Sequence, residues 1–340
     1  MNVRSLTRAD PALGRRRILA WSVVSLLLAA VTAGTLTLGE LGIPIGDALR
    51  ALFGRGEPGI VLVVQEWRLP RALLGIAVGA MLALSGALFQ IVTRNPLGSP
   101  DILGFSTGAF TGVLLVMNAG AVSVLTLTTS AFAGGLAAAV LAFALSSRAG
   151  VHGFALVVTG IAVTAMLSAV NTVLVLRSDD LVALSAAIWA TGSLNGVDAQ
   201  WLVPAILTLA VTGAIAAGMA RALVAYELGD ERAAALGARP AATRWGAMIL
   251  GVALIAVATA ITGPIGFVAL AAPQIARRLW RSGTIPLGAS ALTGALLLCL
   301  SDLISARLFA PTIIPTGLVT VSIGGIYLAW LLTTRERTTR

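Results

Sequence analysis

The residue types that carry out enzymatic chemistry are scarce in this chain, and they form no catalytic pattern. The sequence contains no lysine, so a glycine-rich loop whose lysine binds nucleotide phosphates is impossible. The His-Glu-x-x-His zinc motif is also absent. The single histidine, His152, has no second ligand nearby, and the single cysteine, Cys299, lies in an apolar run typical of a small buried side chain. The sequence therefore predicts no catalytic residue, no metal site and no cofactor.

One acidic residue could matter to an ion-driven carrier, because such carriers use ionisable groups in the middle of the membrane. Asp302 is the only acid well inside an apolar run, and Arg307 is close enough in sequence to pair with it. The position is near the end of the run, so we interpret the pair as structural or as part of a docking site. The energy for any transport is then expected to come from another subunit.

Two arginines flank a proline in the run Arg68-Leu-Pro-Arg71. Proline in a first turn fixes the start of a helix, and this would leave both guanidinium groups at the rim of the membrane. A guanidinium pairs bidentately with carboxylates, so one interpretation is an acidic partner surface. The other interpretation is anchoring to lipid headgroups.

A polar passage, residues 221–244, separates two apolar stretches of bilayer length. Gly229 can stop the preceding helix, and Asp230 can cap a new one by accepting a backbone N–H. After an alanine-rich stretch, Gly237 supplies a left-handed stop and Pro240 blocks continuation. The pattern predicts about two helical turns outside the bilayer. They form either a solvated loop or a surface for a partner.

Composition places these features in an integral membrane protein. The 340 residues are 58% hydrophobic and 11% charged, with a mean hydropathy of +0.96, whereas soluble domains are about 25% charged. Apolar runs of about 20 residues cross a bilayer as helices, and the alternation typical of barrel strands is absent. We predict an all-α fold with one transmembrane domain, 18–333, between cytoplasmic segments 1–17 and 334–340.

Apolar runs and helix breakers define ten candidate spans. They are 18–38, 72–93, 102–119, 122–146, 153–176, 201–220, 245–262, 264–276, 285–304 and 317–333. The first is too long for the core of a secretion signal, so we interpret it as an uncleaved span. The eighth is interrupted, and broken helices are tolerated where they line a cavity. Its candidate pathway residues are Gly263, Pro264, Gly266, Phe267 and Pro273.

Arginine placement predicts the orientation. With the amino terminus inside, seventeen of the 23 arginines lie in inner segments and six in outer ones, as the positive-inside rule requires. Ten spans put both termini and the region 226–240 in the cytoplasm. The net charge of +9 reflects arginines at span ends, so we expect no binding of nucleic acid.

Two further patterns concern packing. Residues 181–194 are apolar but too short to cross, so we predict an interfacial or re-entrant helix on the outer side. The pairs Gly75-x-x-x-Gly79 and Gly108-x-x-x-Gly112 predict close approach of helices, because glycine lets backbones come together.

Short motifs also follow one another in a fixed order between residues 68 and 317. They are Arg68-Leu-Pro-Arg71, Gly79-Ala-Met-Leu-Ala-Leu-Ser-Gly86-Ala-Leu-Phe-Gln90, Thr93-Arg-Asn-Pro-Leu97, Leu103-Gly-Phe-Ser-Thr-Gly108-Ala109, Leu228-Gly-Asp-Glu-Arg-Ala-Ala-Ala-Leu-Gly237, Gly263-Pro-Ile-Gly-Phe267, Pro273-Gln-Ile-Ala-Arg277 and Pro315-Thr-Gly317. Together they resemble the FecCD-type permeases of ABC importers for iron–siderophores and cobalamin. Two departures are Gln274, where many relatives have histidine, and residues 313–317, where many have an acid-Leu-Pro-Val/Ile-Gly sequence.

The resemblance implies a set of partners. They are a second permease subunit, identical or homologous, two cytoplasmic ABC ATPase subunits and an extracytoplasmic binding protein that delivers the cargo. Ferric siderophore is the expected cargo, with haem and cobalamin as alternatives. The complex would lie among lipids in the inner membrane of a bacterium, with ATP hydrolysed by the partner subunit. The rival hypothesis is a carrier coupled to an ion gradient that works without an ATPase.

The resemblance also assigns residues. The helix that seats in a groove of the ATPase would comprise Leu228, Gly229, Asp230, Glu231, Ala233, Leu236 and Gly237. By position, Arg68, Arg71 and Arg307 resemble the outer arginines that pair with glutamates of the binding protein.

Overall fold

The structure is a computed structural model that describes residues 11–38, 42–121, 123–148, 153–308, 312 and 314–335. His152 and Ile313 lie outside the described residues. All regular structure within these ranges is helical, which confirms the predicted all-α class.

Fifteen α-helices form the described part of the chain. They are α1 (Pro11–Thr37), α2 (Ile45–Leu52), α3 (Pro58–Leu62), α4 (Leu69–Thr93), α5 (Phe105–Asn118), α6 (Val124–Arg148), α7 (Gly153–Leu176), α8 (Asp180–Ala190), α9 (Leu202–Gly218), α10 (Ala220–Glu227), α11 (Asp230–Ala235), α12 (Pro240–Thr262), α13 (Val268–Leu279), α14 (Leu287–Arg307) and α15 (Thr316–Arg335). A π-helical turn, Val63–Arg68, joins α3 to α4, and 3₁₀ turns occupy Pro100–Leu103 and Ala199–Trp201.

Each of the ten predicted spans overlaps one helix. In the described ranges, seven helical stretches are long and apolar enough to cross a membrane. They are Gly14–Thr37, Pro58–Thr93, Val124–Ser146, Ala155–Leu176, Ala199–Gly218, Pro240–Thr262 and Leu287–Arg307. The helices α5 and α8 and the stretch Thr316–Tyr327 of α15 are apolar but shorter. The number of crossings and the side of the termini stay predictions.

Helix α4 is the central element of the bundle. Twenty of its 25 residues are buried, and it packs against α9, α12, α13 and α14. The outer helices differ, since only about a fifth of the most apolar window of α6, α7 or α9 is buried. Such apolar faces suit lipid or another subunit, because the protein itself leaves them uncovered.

Close glycine contacts hold α4 in place. A Cβ on Gly79 would lie 2.5 Å from the carbonyl oxygen of Gly294 in α14, and a Cβ on Gly294 would meet Gly79 in return. In the same way Gly108 of α5 meets the backbone of Gly134 in α6. The predicted close approach of backbones is confirmed at Gly79, Gly108 and Gly112, whereas Gly75 meets only side chains. In lipid such contacts supply packing that apolar side chains alone cannot, since lipid tails are equally apolar.

The start of α4 differs from the sequence-based expectation. Pro70 was expected to begin a helix, but the helical path starts at Pro58 and continues through the π-helical turn Val63–Arg68. Proline removes one backbone hydrogen bond and crowds the preceding turn. The wider π turn accommodates both effects, so the chain passes Pro70 without ending its helix.

Candidate functional site

The polar segment, residues 226–240, folds as the predicted short helix. Gly229 precedes α11 with φ 108° and ψ 153°, and Gly237 follows it with φ 82°. The N–H groups of Gly237 and Ala238 donate to carbonyls of α11 at 2.9 and 3.0 Å. This is the Schellman arrangement, which favours glycine at the left-handed position. The two glycines therefore bracket the helix as the pattern predicts.

Asp230 does not cap α11, so that prediction is wrong. Gly229 occupies the N-cap position, and no side chain accepts a capping hydrogen bond there. Asp230 is the first helical residue, and its carboxylate accepts a hydrogen bond from the guanidinium of Arg94 instead.

Arg94 is a residue that the sequence-based reasoning left without a role. It ends α4 in the left-handed region, with φ 50° and ψ 32°. Its Nε and Nη2 donate to the carbonyl oxygen of Tyr226 at 3.2 and 2.9 Å, and its guanidinium carbon lies 4.5 Å from the centroid of the Tyr226 ring. With the Asp230 contact, these bonds join the polar segment to the end of α4. The sequence hint was an arginine directly after a long span.

The outward face of the polar segment is partly apolar. Leu228 and Leu236 are 49% and 66% exposed, and Glu231 is exposed beside them. Ala233, which was assigned to the same surface, is fully buried. It faces the body of the protein, where α11 packs against α10 and α12. Its side chain is therefore not part of a contact surface.

Glu227 forms a second attachment of the polar segment. Its carboxylate accepts a hydrogen bond from the N–H of Ile285 at 3.2 Å, just before α14 begins. Burial raises the pKa of Glu227, although the Ile285 N–H and the charge of Arg277 oppose the shift. Burial likewise raises the pKa of the neighbouring Tyr226.

The three predicted docking arginines meet around one cavity of about 170 Å³. Arg71 donates from Nε and Nη2 to the two carboxylate oxygens of Asp302 at 2.9 and 2.8 Å. Arg68 donates to the carbonyl of Leu36 at 2.7 Å, and Arg307 donates to the carbonyl of Leu38. With one carboxylate against three guanidinium groups, the cavity carries an excess of positive charge.

The predicted pairing of Asp302 with Arg307 is therefore wrong. Arg71, at the start of α4, faces Asp302 across the α4–α14 contact, whereas Arg307 lies at the end of α14 and is directed toward the end of α1. Asp302 also accepts a hydrogen bond from the hydroxyl of Thr316 at 3.0 Å. Since its side chain is only 5% exposed, these bonds offset the cost of burying its charge.

The interrupted segment, residues 263–267, separates α12 from α13. Gly263 has φ 71° and Phe267 has φ 68°, so α13 begins at Val268, four residues later than predicted. A Cβ on Gly263 would lie 2.7 Å from the carbonyl oxygen of Trp189 in α8. The segment thus packs directly on α8, the short helix predicted to be interfacial or re-entrant.

The interrupted segment, residues 263–267, borders a polar groove on one side and α15 on the other. Pro264 borders a groove of about 550 Å³ between α5 and α7. Five polar side chains share that groove, and they are Ser106, Thr107, Ser168, Asn171 and Thr172. A Cβ on Gly266 would lie 3.5 Å from a methyl carbon of Val321 in α15, and the ring of Phe267 packs on Gly324 of the same helix.

Pro273, inside α13, frees a backbone carbonyl that α4 approaches. Proline cannot donate to the carbonyl of Ala269, and that oxygen faces Gly86, which has no side chain to block it. One turn further on, the amide of Gln90 donates to the carbonyl of Leu270 at 3.0 Å, and Gln274 donates to Gln90 at 2.7 Å. Gln274 therefore belongs to the α4–α13 contact.

These residues offer little for covalent chemistry. In the described ranges, no three His, Cys, Asp or Glu side chains lie close enough to hold a metal ion. Ser106 lies in a Gly-x-Ser-x-Gly spacing, but its hydroxyl donates to Asp101, and no strand precedes it as in a hydrolase nucleophile loop.

Comparison with known proteins decides the family. The model of the FecCD transport family matches residues 26–334. The chain belongs to the FecCD transport family. The resemblance inferred from the ordered motifs is therefore confirmed.

Individual relatives agree with this assignment over nearly the whole chain. The FecCD chain is 42% identical to the ferric enterobactin transport system permease protein FepG of Escherichia coli K12, covering 95% of this chain and 98% of FepG. It is 35% identical to the probable siderophore transport system permease protein YfhA of Bacillus subtilis 168, covering 92% and 94%. Its fold matches an inward-facing metal-chelate type ABC transporter with a TM-score of 0.83 and 28% identity, covering 93% and 99%.

Proposed function

We propose that this chain is the permease subunit of an ATP-driven importer for ferric siderophores. The observation that carries the proposal is the 42% identity to a ferric enterobactin permease across almost the full length of both chains. A permease matched to 36% identity over 273 residues transports hemin in Yersinia pestis, so hemin is the competing cargo. The permease itself performs no catalysis and carries no cofactor.

Each proposed partner is assigned to one surface of the permease. An ABC ATPase is proposed to bind Leu228, Leu236 and the exposed polar side chains of the polar segment, which would act as the coupling helix. A second permease subunit would cover part of the apolar face left by α6, α7 and α9. A binding protein would dock its carboxylates on the positive rim around Arg68.

In this arrangement the domain 18–333 spans the inner membrane of a bacterium ten times, with both termini in the cytoplasm. Cargo enters a cavity between the two permeases, where the interrupted segment and the groove at Pro264 are candidate lining. ATP binding and hydrolysis then move the coupling helix and change the side on which the cavity opens. Such a cycle requires each partner to bind the two states with different affinity.

Reconstitution in proteoliposomes tests the proposal directly. The chain, its second permease and its ATPase are supplied with ATP on the ATPase side and loaded binding protein on the other. We expect ATP-dependent uptake of a ferric siderophore from a labelled panel that also contains hemin. Uptake by the chain without an ATPase under an imposed proton or sodium gradient would contradict it.

The docking role of the rim is tested separately with Arg68→Glu. Reversal of a rim charge should weaken binding-protein docking and reduce its dependence on salt, because charge pairs at an interface rim are screened. Arg55→Glu is the matched control, since Arg55 is exposed and its side chain forms no hydrogen bond or ion pair with the described residues. Equal docking by Arg68→Glu and wild type at low salt would refute the role.

A further inference from the structure

Helix α4 carries an arginine–aspartate pair at each end. Arg71 pairs with Asp302 at one end, and Arg94 pairs with Asp230 at the other. The one other ion pair among the described residues, Arg50 with Asp47, joins neighbouring turns of α2 between two exposed side chains. Since α4 is otherwise enclosed, these two pairs are its charged connections to the rest of the molecule.

The hydrogen bonds and ring contact of Arg94 hold the polar segment more firmly than its ion pair does. The side chains of Arg94 and Asp230 are 39% and 50% exposed, so solvent screens their attraction and the ion pair alone contributes little. The two hydrogen bonds to the Tyr226 carbonyl and the contact with the Tyr226 ring do not depend on that ion pair. They use the planar fork of a guanidinium, which an ammonium group cannot reproduce.

The backbone supports the same conclusion. Arg94 adopts a left-handed conformation that is uncommon outside glycine, and this conformation places its side chain over the polar segment. Arg281 has a similar φ of 43°, but its exposed side chain forms no hydrogen bond or ion pair with the described residues. Arg94 and Arg281 thus share a positive φ, but only the side chain of Arg94 binds the polar segment.

We propose that Arg94 is a positioning residue that couples the polar segment to α4. When an ATPase moves α11, the Arg94 guanidinium carries that displacement to the end of α4, so that it is not lost in backbone rotation at Gly229. The proposal rests on the proposed function, because it requires an ATPase on α11. It adds a residue outside the coupling helix to the energy-transmitting machinery.

The first test measures, in the permease alone, how firmly Arg94 attaches α11 to the end of α4. Arg232 lies on the exposed side of α11, so its peptide bond reports by trypsin cleavage how often that helix detaches. Arg94→Gln should raise the rate of cleavage after Arg232 about tenfold, since it removes charge-assisted hydrogen bonds. The control Arg281→Gln should cleave like wild type. Equal rates of cleavage after Arg232 in the two variants would show that Arg94 does not attach α11 to α4.

The second test measures transmission in the reconstituted complex as the number of cargo molecules taken up per ATP hydrolysed. Arg94→Gln should lower this ratio several-fold with ATP hydrolysis retained, and Arg281→Gln should keep the wild-type ratio. A wild-type ratio for Arg94→Gln would overturn the proposal whatever the cleavage rate. If Arg94→Gln does not assemble, Arg94→Lys is measured instead, because it keeps the charge and loses the fork.

The two experiments separate this proposal from the function on which it rests. Absence of ATP-dependent uptake by the wild-type complex would contradict the proposed function. The cleavage assay needs neither ATP nor cargo, so it would still decide whether Arg94 holds the polar segment.

Discussion

Gly86 has the tightest surroundings of the three glycines on α4. A Cβ at this position would overlap the carbonyl of Ala269, the same carbonyl that Pro273 leaves without its helical hydrogen bond. Both the glycine and the proline are visible in the sequence, but the fact that they meet is not. A residue-level explanation therefore depends on a contact between positions nearly two hundred residues apart.

Gly86→Ala should destabilise the protein by about 1–3 kcal/mol, the usual cost of forcing an extra carbon into a packed interior. Thermal unfolding in detergent is the measurement. Gly213→Ala in α9 is the matched control, because no atom lies within 4 Å of the added carbon, and it should be neutral or slightly stabilising. Equal melting temperatures for the two variants would contradict the observed packing.

The Arg71–Asp302 pair makes a second residue-level prediction. Arg71→Gln should destabilise the fold by about 2 kcal/mol, less than the roughly 3–5 kcal/mol for a fully buried pair, because Arg71 is a quarter exposed. Arg71→Gln with Asp302→Asn should recover part of the loss, since no unpaired carboxylate remains. A double variant no more stable than the Arg71→Gln single variant would count against this account. Unfolding of the single and double variants gives the interaction energy as a double-mutant cycle.

At the scale of elements, the polar segment depends on two unusual backbone positions. Gly237 has open space around it, so its substitution is limited by conformation alone. Asn tolerates the left-handed region far better than a β-branched residue does. This difference permits a test that changes helix geometry without creating a steric clash.

Gly237→Val should reduce ATP-driven uptake strongly, and Gly237→Asn should retain most of it. The strain of a left-handed non-glycine residue, about 1–2 kcal/mol, is enough to shift the end of a two-turn helix. Uptake by the reconstituted complex is measured together with the melting temperature of the permease. If both variants transport equally, the geometry of this helix end is not required for coupling.

Glu227 gives the same segment a dependence on pH. Its pKa is raised from the ordinary 4.5 in the folded protein, so its contribution is fully present below pH 4.5 and is lost as the pH rises through the raised folded pKa. Glu227→Gln keeps an oxygen for the Ile285 N–H and cannot ionise. The variant should therefore gain stability relative to wild type as the pH rises through that window. Parallel unfolding curves across the window would contradict the raised pKa.

For the whole molecule, the sequence predicts the all-α class and places ten candidate spans on ten helices. It also predicts the short helix between Gly229 and Gly237, because these features depend on local hydrophobicity and local turn chemistry. The partner of Asp302, the role of Arg94 and the burial of Ala233 were missed. Each depends on which distant helices come together, and neither composition nor spacing contains that information.

The central position of α4 has a consequence for how the chain is made. The helix ends at residue 93, and the last of its main partners, α14, ends at residue 307. At about 5–20 residues per second, translation separates these two events by roughly ten to forty seconds. Until α12 and α13 are made, Ser85 and Gln90 of this helix lack their final acceptors, the carbonyls of Gly251 and Leu270. Because α4 is made before its main partners, we expect it to pack temporarily against spans already made or against the insertion machinery. This lasts until the second half of the chain encloses it.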